Sequence, residues 1–150
     1  MTEPSIVHAT FTLERTYPVP VHRAFHAWAD PRMKARWFGG DSARYQLDFR
    51  PDGIERNVAE HEGKEITWES LYREIVPDVR IVYTSVLSED GVLMTASLTT
   101  VEFTQDGPNT ALVLTETGAY LDGREQPAWR EEGTGEWLDG LGRHLAEGPA

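Results

Sequence analysis

The stretch that decides the fold is VHRAFHAWADPRMKARWFGG, residues 21–40. Its first half repeats apolar residues at helical spacing (Val21, Ala24, Phe25 and Trp28), which predicts a helix with an aromatic stripe on one side. Asp30-Pro31 then breaks and restarts the chain. Aspartate caps helix N-termini, and proline suits the first helical position, where its missing N–H costs nothing. A second helix of about two turns follows, and Gly39-Gly40 accept the left-handed backbone that ends one. Two short helices in succession therefore carry Phe25, Trp28, Trp37 and Phe38 to one place. Such an aromatic anchor needs a large apolar surface to cover it.

Outward from this stretch the pattern changes to strands. On the N-terminal side, Ile6–Tyr17 alternates. Phe11, Leu13 and Tyr17 share a face with Arg15, while Thr10, Thr12, Glu14 and Thr16 take the other, as in a half-buried strand. On the C-terminal side, strands are predicted over 45–49, 54–61, 65–76, 80–87, 93–105 and 110–117, with turns at 51–53, Glu62-Gly63, Pro77-Asp78, Asp90-Gly91 and 106–109. The phase of 93–105 slips: Met94, Ala96 and Leu98 share one parity, Val101 and Phe103 the other. A β-bulge at Thr99-Thr100 would reconcile them. Residues 126–146 read as a helix whose inward series is Trp129, Gly133, Trp137, Leu141 and Leu145. Four glycines (Gly133, Gly135, Gly140 and Gly142) each cost that helix about 1 kcal/mol relative to alanine. Two reasons would justify them: close packing against a sheet, or room for a ligand. The order of elements predicts one α+β domain over 1–150, a curved antiparallel sheet around the C-terminal helix with the two short helices closing one end.

Composition narrows the function classes. The chain has 150 residues and a formal net charge of −11, and no Lys or Arg lies between Ser85 and Gly123. So acidic a surface repels phosphate backbones and anionic lipid, which argues against nucleic-acid and membrane partners. The absence of cysteine excludes disulfides, thiolate metal sites and a thiol nucleophile. MTEPSIVHAT shows no basic segment followed by an apolar run, and no apolar run is long enough to span a bilayer, so the cytoplasm is the expected compartment.

Three separated motifs, VHRAFHAWADPRMKARWFGG, TVEFTQDGPNTALVLTETGAY and GTGEWLDGLGRHL, occur in an order that resembles the SRPBCC (START-like, Bet v-type) superfamily. Within it the chain is similar to the group named after the C-terminal domain of the heat-shock-protein-90 ATPase activator. The resemblance covers nearly the whole chain. It implies a helix-grip fold with a cavity between sheet and C-terminal helix, one end of which Trp37 and Phe38 would seal. The superfamily spans lipid carriers, polyketide cyclases, dehydratases and hormone receptors, so the fold alone does not fix the chemistry. The separate N-terminal domain through which the eukaryotic co-chaperone binds its partner has no counterpart in these motifs, which argues against chaperone activation.

His22 and His26 stand four apart on a helix, a spacing that can chelate a metal. Arg23 occupies the place of the zinc-protease glutamate, and no third ligand is near in sequence, so they are expected on a solvated flank with no metal bound. There is no G-x-S-x-G elbow and no phosphate-binding loop. Glu116 follows Leu112 and Leu114 at period two, which points it inward, where it is the candidate catalytic acid or base, with Arg15 as its expected partner. Tyr72 and Tyr83 lie on adjacent strands and can turn hydroxyls inward, whereas Glu69 falls on the opposite face. The expected cavity is bordered by Trp37, Tyr72, Tyr83, Val101, Leu114, Glu116 and Trp137. The leading reading is a protein that binds a small apolar or aromatic molecule without a cofactor. The alternatives are a cofactor-free cyclase, dehydratase or hydrolase that uses Glu116, and a stress-related interaction protein. A homodimer stays open.

Overall fold

The computed structural model describes residues 3–39 and 44–147. Seven strands form a single antiparallel sheet in the order β1-β7-β6-β5-β4-β3-β2. They are β1 (Ile6–Tyr17), β2 (Tyr45–Leu47), β3 (Ile54–His61), β4 (Lys64–Val76), β5 (Arg80–Glu89), β6 (Val92–Asp106) and β7 (Asn109–Leu121). From β2 to β7 each strand pairs with the next, and from β3 onward the connections are turns of two or three residues. Glu62-Gly63 and Asp90-Gly91 turn with positive φ at both central residues, the conformation that matches strand twist. β1 then closes against β7, with Phe11 opposite Glu116.

Between β1 and β2 lie α1 (Val21–Ala29), α2 (Pro31–Lys34) and one turn of π-helix (Ala35–Gly39). The restart at Asp30-Pro31 is as the sequence predicts: the Asp30 carboxylate accepts from the backbone N–H of Arg32 at 2.8 Å and Met33 at 3.2 Å. The wide final turn aims Trp37 back at α1, where its indole N–H donates to the Ala27 carbonyl at 2.9 Å. Gly40, the second half of the predicted stop, lies outside the described residues.

The C-terminal α3 (Pro127–Ala146) crosses the concave face of the curved sheet. Leu138, Leu141 and Leu145 pack with Ile81, Val101, Phe103, Leu112 and Leu114 from the strands and with Phe25, Trp28 and Trp37 from the short helices. The Tyr17 hydroxyl donates to the Leu138 carbonyl at 2.8 Å and ties α3 to β1. The fold is therefore the expected α+β helix-grip arrangement.

Two expectations need correction. The register runs through Thr99 and Thr100 unbroken on both sides, with Thr99 opposite Tyr83 and Glu116. The irregularities lie instead at Tyr72/Glu74 and at Leu87/Ser88. The slip in β6 falls at Met94, the extra residue between Leu93 opposite Ser88 and Thr95 opposite Leu87, and from Thr95 onward the phase holds. Its inward face is Thr95, Ser97, Thr99, Val101 and Phe103, polar at one end and apolar at the other, while Leu98 is exposed on the convex side. The second correction concerns α3. Its buried series is Arg130, Thr134, Leu138, Leu141 and Leu145, rotated by one residue from the predicted face in the N-terminal half. Trp129 and Trp137 are 62% and 36% exposed.

Candidate functional site

The rotation of α3 creates the site. With Arg130 and Thr134 facing the sheet, Trp129, Gly133 and Trp137 flank a groove between the helix and the inward faces of β3, β4 and β5. Its volume is about 290 Å³, and Asn57, Ala59, Ile66, Trp68 and Leu87 line its sheet side. Trp68 packs edge-on against Trp137, with centroids 6.0 Å apart, and Phe38 lies 4.4 Å from Trp137. Phe38 of the opening stretch thus backs two of the groove's indoles, Trp68 and Trp137.

The helical glycines divide between the two expected reasons. A side-chain carbon at Gly135 would come within 3.2 Å of the Arg15 guanidinium, and one at Gly142 within 3.3 Å of the Tyr17 ring, so these two admit β1. A carbon at Gly133 would meet nothing within 4 Å, because Gly133 opens on the groove.

Beneath the groove lies a buried ion cluster. The Arg130 Nε donates to Glu116 at 2.6 Å and its Nη1 to Glu125 at 2.9 Å. The guanidinium stacks 4.8 Å from the centre of the Trp68 ring. Thr99 donates to the second Glu116 oxygen at 3.0 Å, and Thr95 to Glu125 at 2.6 Å. Burial opposes the charge on Arg130, but Glu116 and Glu125 overcome it and hold its pKa above the ordinary value. The partner of Glu116 is thus Arg130, not Arg15. Arg15 reaches over the edge of β1 to Asp139 at 2.8 Å and to the Gly135 carbonyl.

A second buried cluster sits under the short helices. Lys34 and Glu55 are each 1% exposed and paired at 2.9 Å. The Tyr72 hydroxyl donates to Glu55 at 2.8 Å and accepts from Lys34 at 3.2 Å, and Tyr45 donates to the other Glu55 oxygen. The Lys34 ammonium lies 4.8 Å from the Trp28 ring and 4.7 Å from the Phe38 ring. Burial pushes its pKa down, and Glu55 pulls it back only in part.

Of the seven residues predicted to border the cavity, Trp137 lines the groove. Glu116 lies one layer below and reaches it through Arg130. Trp37, Val101 and Leu114 belong to the closed core, and Tyr72 belongs to the Lys34 cluster. Tyr83 is buried beside Tyr72 with centroids 5.7 Å apart. Glu69 is on the convex side near Arg56, as its phase requires. His22 and His26 stack with centroids 6.2 Å apart on the exposed flank of α1, facing Asp78 and Asp30. Among the described residues no group of three His, Cys, Asp or Glu side chains is placed to hold a metal. The sequence reading misses Asn57, Trp68, Glu125, Trp129 and Arg130. One signal was available: the inward run Thr95, Ser97, Thr99 with Glu116 asks for a polar partner, and Arg130 starts an unbroken series to Leu145.

A wider hollow of about 600 Å³ lies on the convex side of the sheet, where Val86 and Leu98 are exposed beside His8, Leu71, Ala96 and Ala119. It is a saddle in the sheet surface. No helix among the described residues is long and apolar enough to cross a membrane.

The profile of the family described as Activator of Hsp90 ATPase homolog 1-like protein matches residues 18–146. No curated protein matches the chain. Among solved structures, an uncharacterised protein of Rhizobium leguminosarum is 37% identical with a TM-score of 0.94, over 98% of this chain and 100% of that one. The Mll3558 protein of Rhizobium loti is 42% identical with a TM-score of 0.88, over 93% and 99%. CalU16 of Micromonospora echinospora shares the fold at 19% identity and a TM-score of 0.68, over 97% and 86%.

Proposed function

The chain belongs to the Activator of Hsp90 ATPase homolog 1-like family, whose fold is a ligand-binding one, and we propose that it binds a small aromatic or largely apolar molecule in the groove between β3–β5 and the N-terminal half of α3. The observation that carries this reading is the groove wall. Trp68, Trp129 and Trp137 offer three indoles to one space of about 290 Å³, and Gly133 keeps that space clear. Pockets for small molecules are mostly apolar with a few placed polar groups, and this one has that character. A tryptophan exposed on an otherwise acidic helix is a surface that a ligand would cover. Arg130 and its carboxylates supply a fixed polar floor rather than a reacting pair. Glu116 is held on both oxygens, so its role is to position Arg130.

The test uses N-phenyl-1-naphthylamine, a neutral fluorescent probe. Saturable one-to-one binding with quenching of tryptophan emission is expected for the native chain. Gly133→Leu fills the groove with a better helix former, so the variant should fold and lose the probe. Binding that is absent, or equal in both proteins, would defeat the reading.

A further inference from the structure

Two buried polar atoms of residues that line the groove have no hydrogen-bond partner among the described residues: the Asn57 Oδ1 acceptor and the Trp68 Nε1 donor. They belong to side chains directly opposite each other in the β3–β4 register, both on the face that lines the groove. Trp68 is 9% exposed, so its N–H has little recourse to water. A buried polar group left unpaired costs about 1–3 kcal/mol, and two of opposite sense on directly opposite residues would be satisfied together by one donor–acceptor edge of a ligand that reaches them. From this pair, and resting on the groove reading above, we infer the ligand class: a neutral, planar, fused-ring aromatic that carries a carbonyl beside an N–H or O–H on one edge. The carbonyl would accept from Trp68 and the neighbouring hydrogen would go to Asn57.

The charge of the site sets the neutrality. Arg130 is already matched by Glu116 and Glu125, so the cluster sums to one negative charge. Glu125 borders the groove itself. A carboxylate or phosphate on the ligand would find no free cation in this cluster and would face Glu125 at close range. The three indoles set the planarity, since stacked or edge-on aromatic pairs favour flat rings.

Titration of the native protein with 2-quinolone, N-methyl-2-quinolone and quinoline-2-carboxylate tests this. The first carries the donor–acceptor edge, the second lacks the donor, and the third adds a charge. 2-Quinolone should bind about tenfold more tightly than either, the scale of one unmade hydrogen bond to a buried group. Trp68→Phe, which keeps a ring and removes the N–H, should bring 2-quinolone down to the level of its N-methyl analogue, and Asn57→Leu should do the same. Equal binding of all three, or preference for the carboxylate, overturns the ligand class. If that occurs while N-phenyl-1-naphthylamine still binds, the groove reading stands without it. If the naphthylamine also fails to bind, both fall together. Because the ligand series uses the native chain, a variant that does not fold leaves the test intact.

Discussion

The two buried ion clusters differ in stoichiometry and in what lies beside them. Lys34 and Glu55 are matched one to one, satisfied by two tyrosine hydroxyls and walled in by aromatic rings. Arg130 is shared by two carboxylates, and one side of the assembly is the groove. A sealed pair costs desolvation and returns mainly a unique arrangement of the parts around it. An ion cluster at a groove wall does something more: it fixes a polar surface in an otherwise apolar space. The first cluster pins the short helices to the sheet, and the second holds the floor of the site.

Alkali probes both clusters at once and should have the largest effect. Burial, the main cause in each case, raises the pKa of Tyr17, Tyr45, Tyr72, Tyr83 and Tyr120, with Tyr120 pushed up to about 12. Below pH 10 the folded and unfolded chains both keep these protons, and the phenols leave stability unchanged. Above it the unfolded chain releases them and the folded one does not, so stability falls as pH rises, by about 1.4 kcal/mol per pH unit for each phenol. Lys34 acts in the opposite sense, since its lowered pKa adds stability as pH climbs toward 10.5, but it is one group against five. Tyrosinate absorbance should therefore emerge together with loss of circular dichroism. Independent titration near pH 10 in a folded chain would show that the phenols are not buried.

Substitution separates the clusters. Lys34→Met leaves Glu55 charged and uncompensated in the core, and should cost about 3–5 kcal/mol in denaturant unfolding. Adding Glu55→Leu should restore a large part of it. If the double variant is no better than the single, the pair is more than a neutral exchange for apolar packing. Glu116→Gln keeps the shape and leaves Arg130 with Glu125, so a smaller loss of about 1–2 kcal/mol is expected. Its sharper mark should be weaker N-phenyl-1-naphthylamine binding, which Glu55→Gln should not show.

The smallest effect, at Trp137, separates groove from core when set against Leu138 on the same helix. Leu138→Ala should cost about 2–5 kcal/mol as a buried truncation. Trp137→Ala should cost about 1 kcal/mol, because much of that indole already meets solvent. Equal losses would mean that Trp137 faces the core as Leu138 does.

That rotation also explains how much the sequence could disclose. The strands and their turns are legible because alternation and Asp-Gly or Glu-Gly pairs obey local rules. The inward phase of Glu116 is legible for the same reason. The site is not, because there the hydrophobic pattern and the burial pattern disagree. On α3 the apolar Trp129 and Trp137 turn to the open groove, and the polar Arg130 and Thr134 turn to the sheet. On β6, Thr95, Ser97 and Thr99 face inward and Leu98 faces out. A reading that equates apolar with inward must misplace both, and it sets the phase slip of β6 at Thr99-Thr100 when the extra residue is Met94. Places where local rules fail are where function is to be sought.

The pairing of β1 with β7 has a consequence for how the chain is made. Every other neighbour in the sheet is the next strand in the chain, so β2 to β7 can zip up hairpin by hairpin. β1 emerges first but has no partner until β7 exists, with Tyr17 waiting for Thr110 and Ile6 for Leu121. At about 5–20 residues per second of synthesis, that wait lasts on the order of 5–20 s. During it Phe11, Leu13 and Tyr17 stand on an unpaired strand, and pairing over such long sequence separations is slow in refolding as well. The threonines and Glu14 on its other face keep this early segment polar on one side, which disfavours edge-to-edge association while it waits. The last strand to be translated before α3 is thus the one that admits the first.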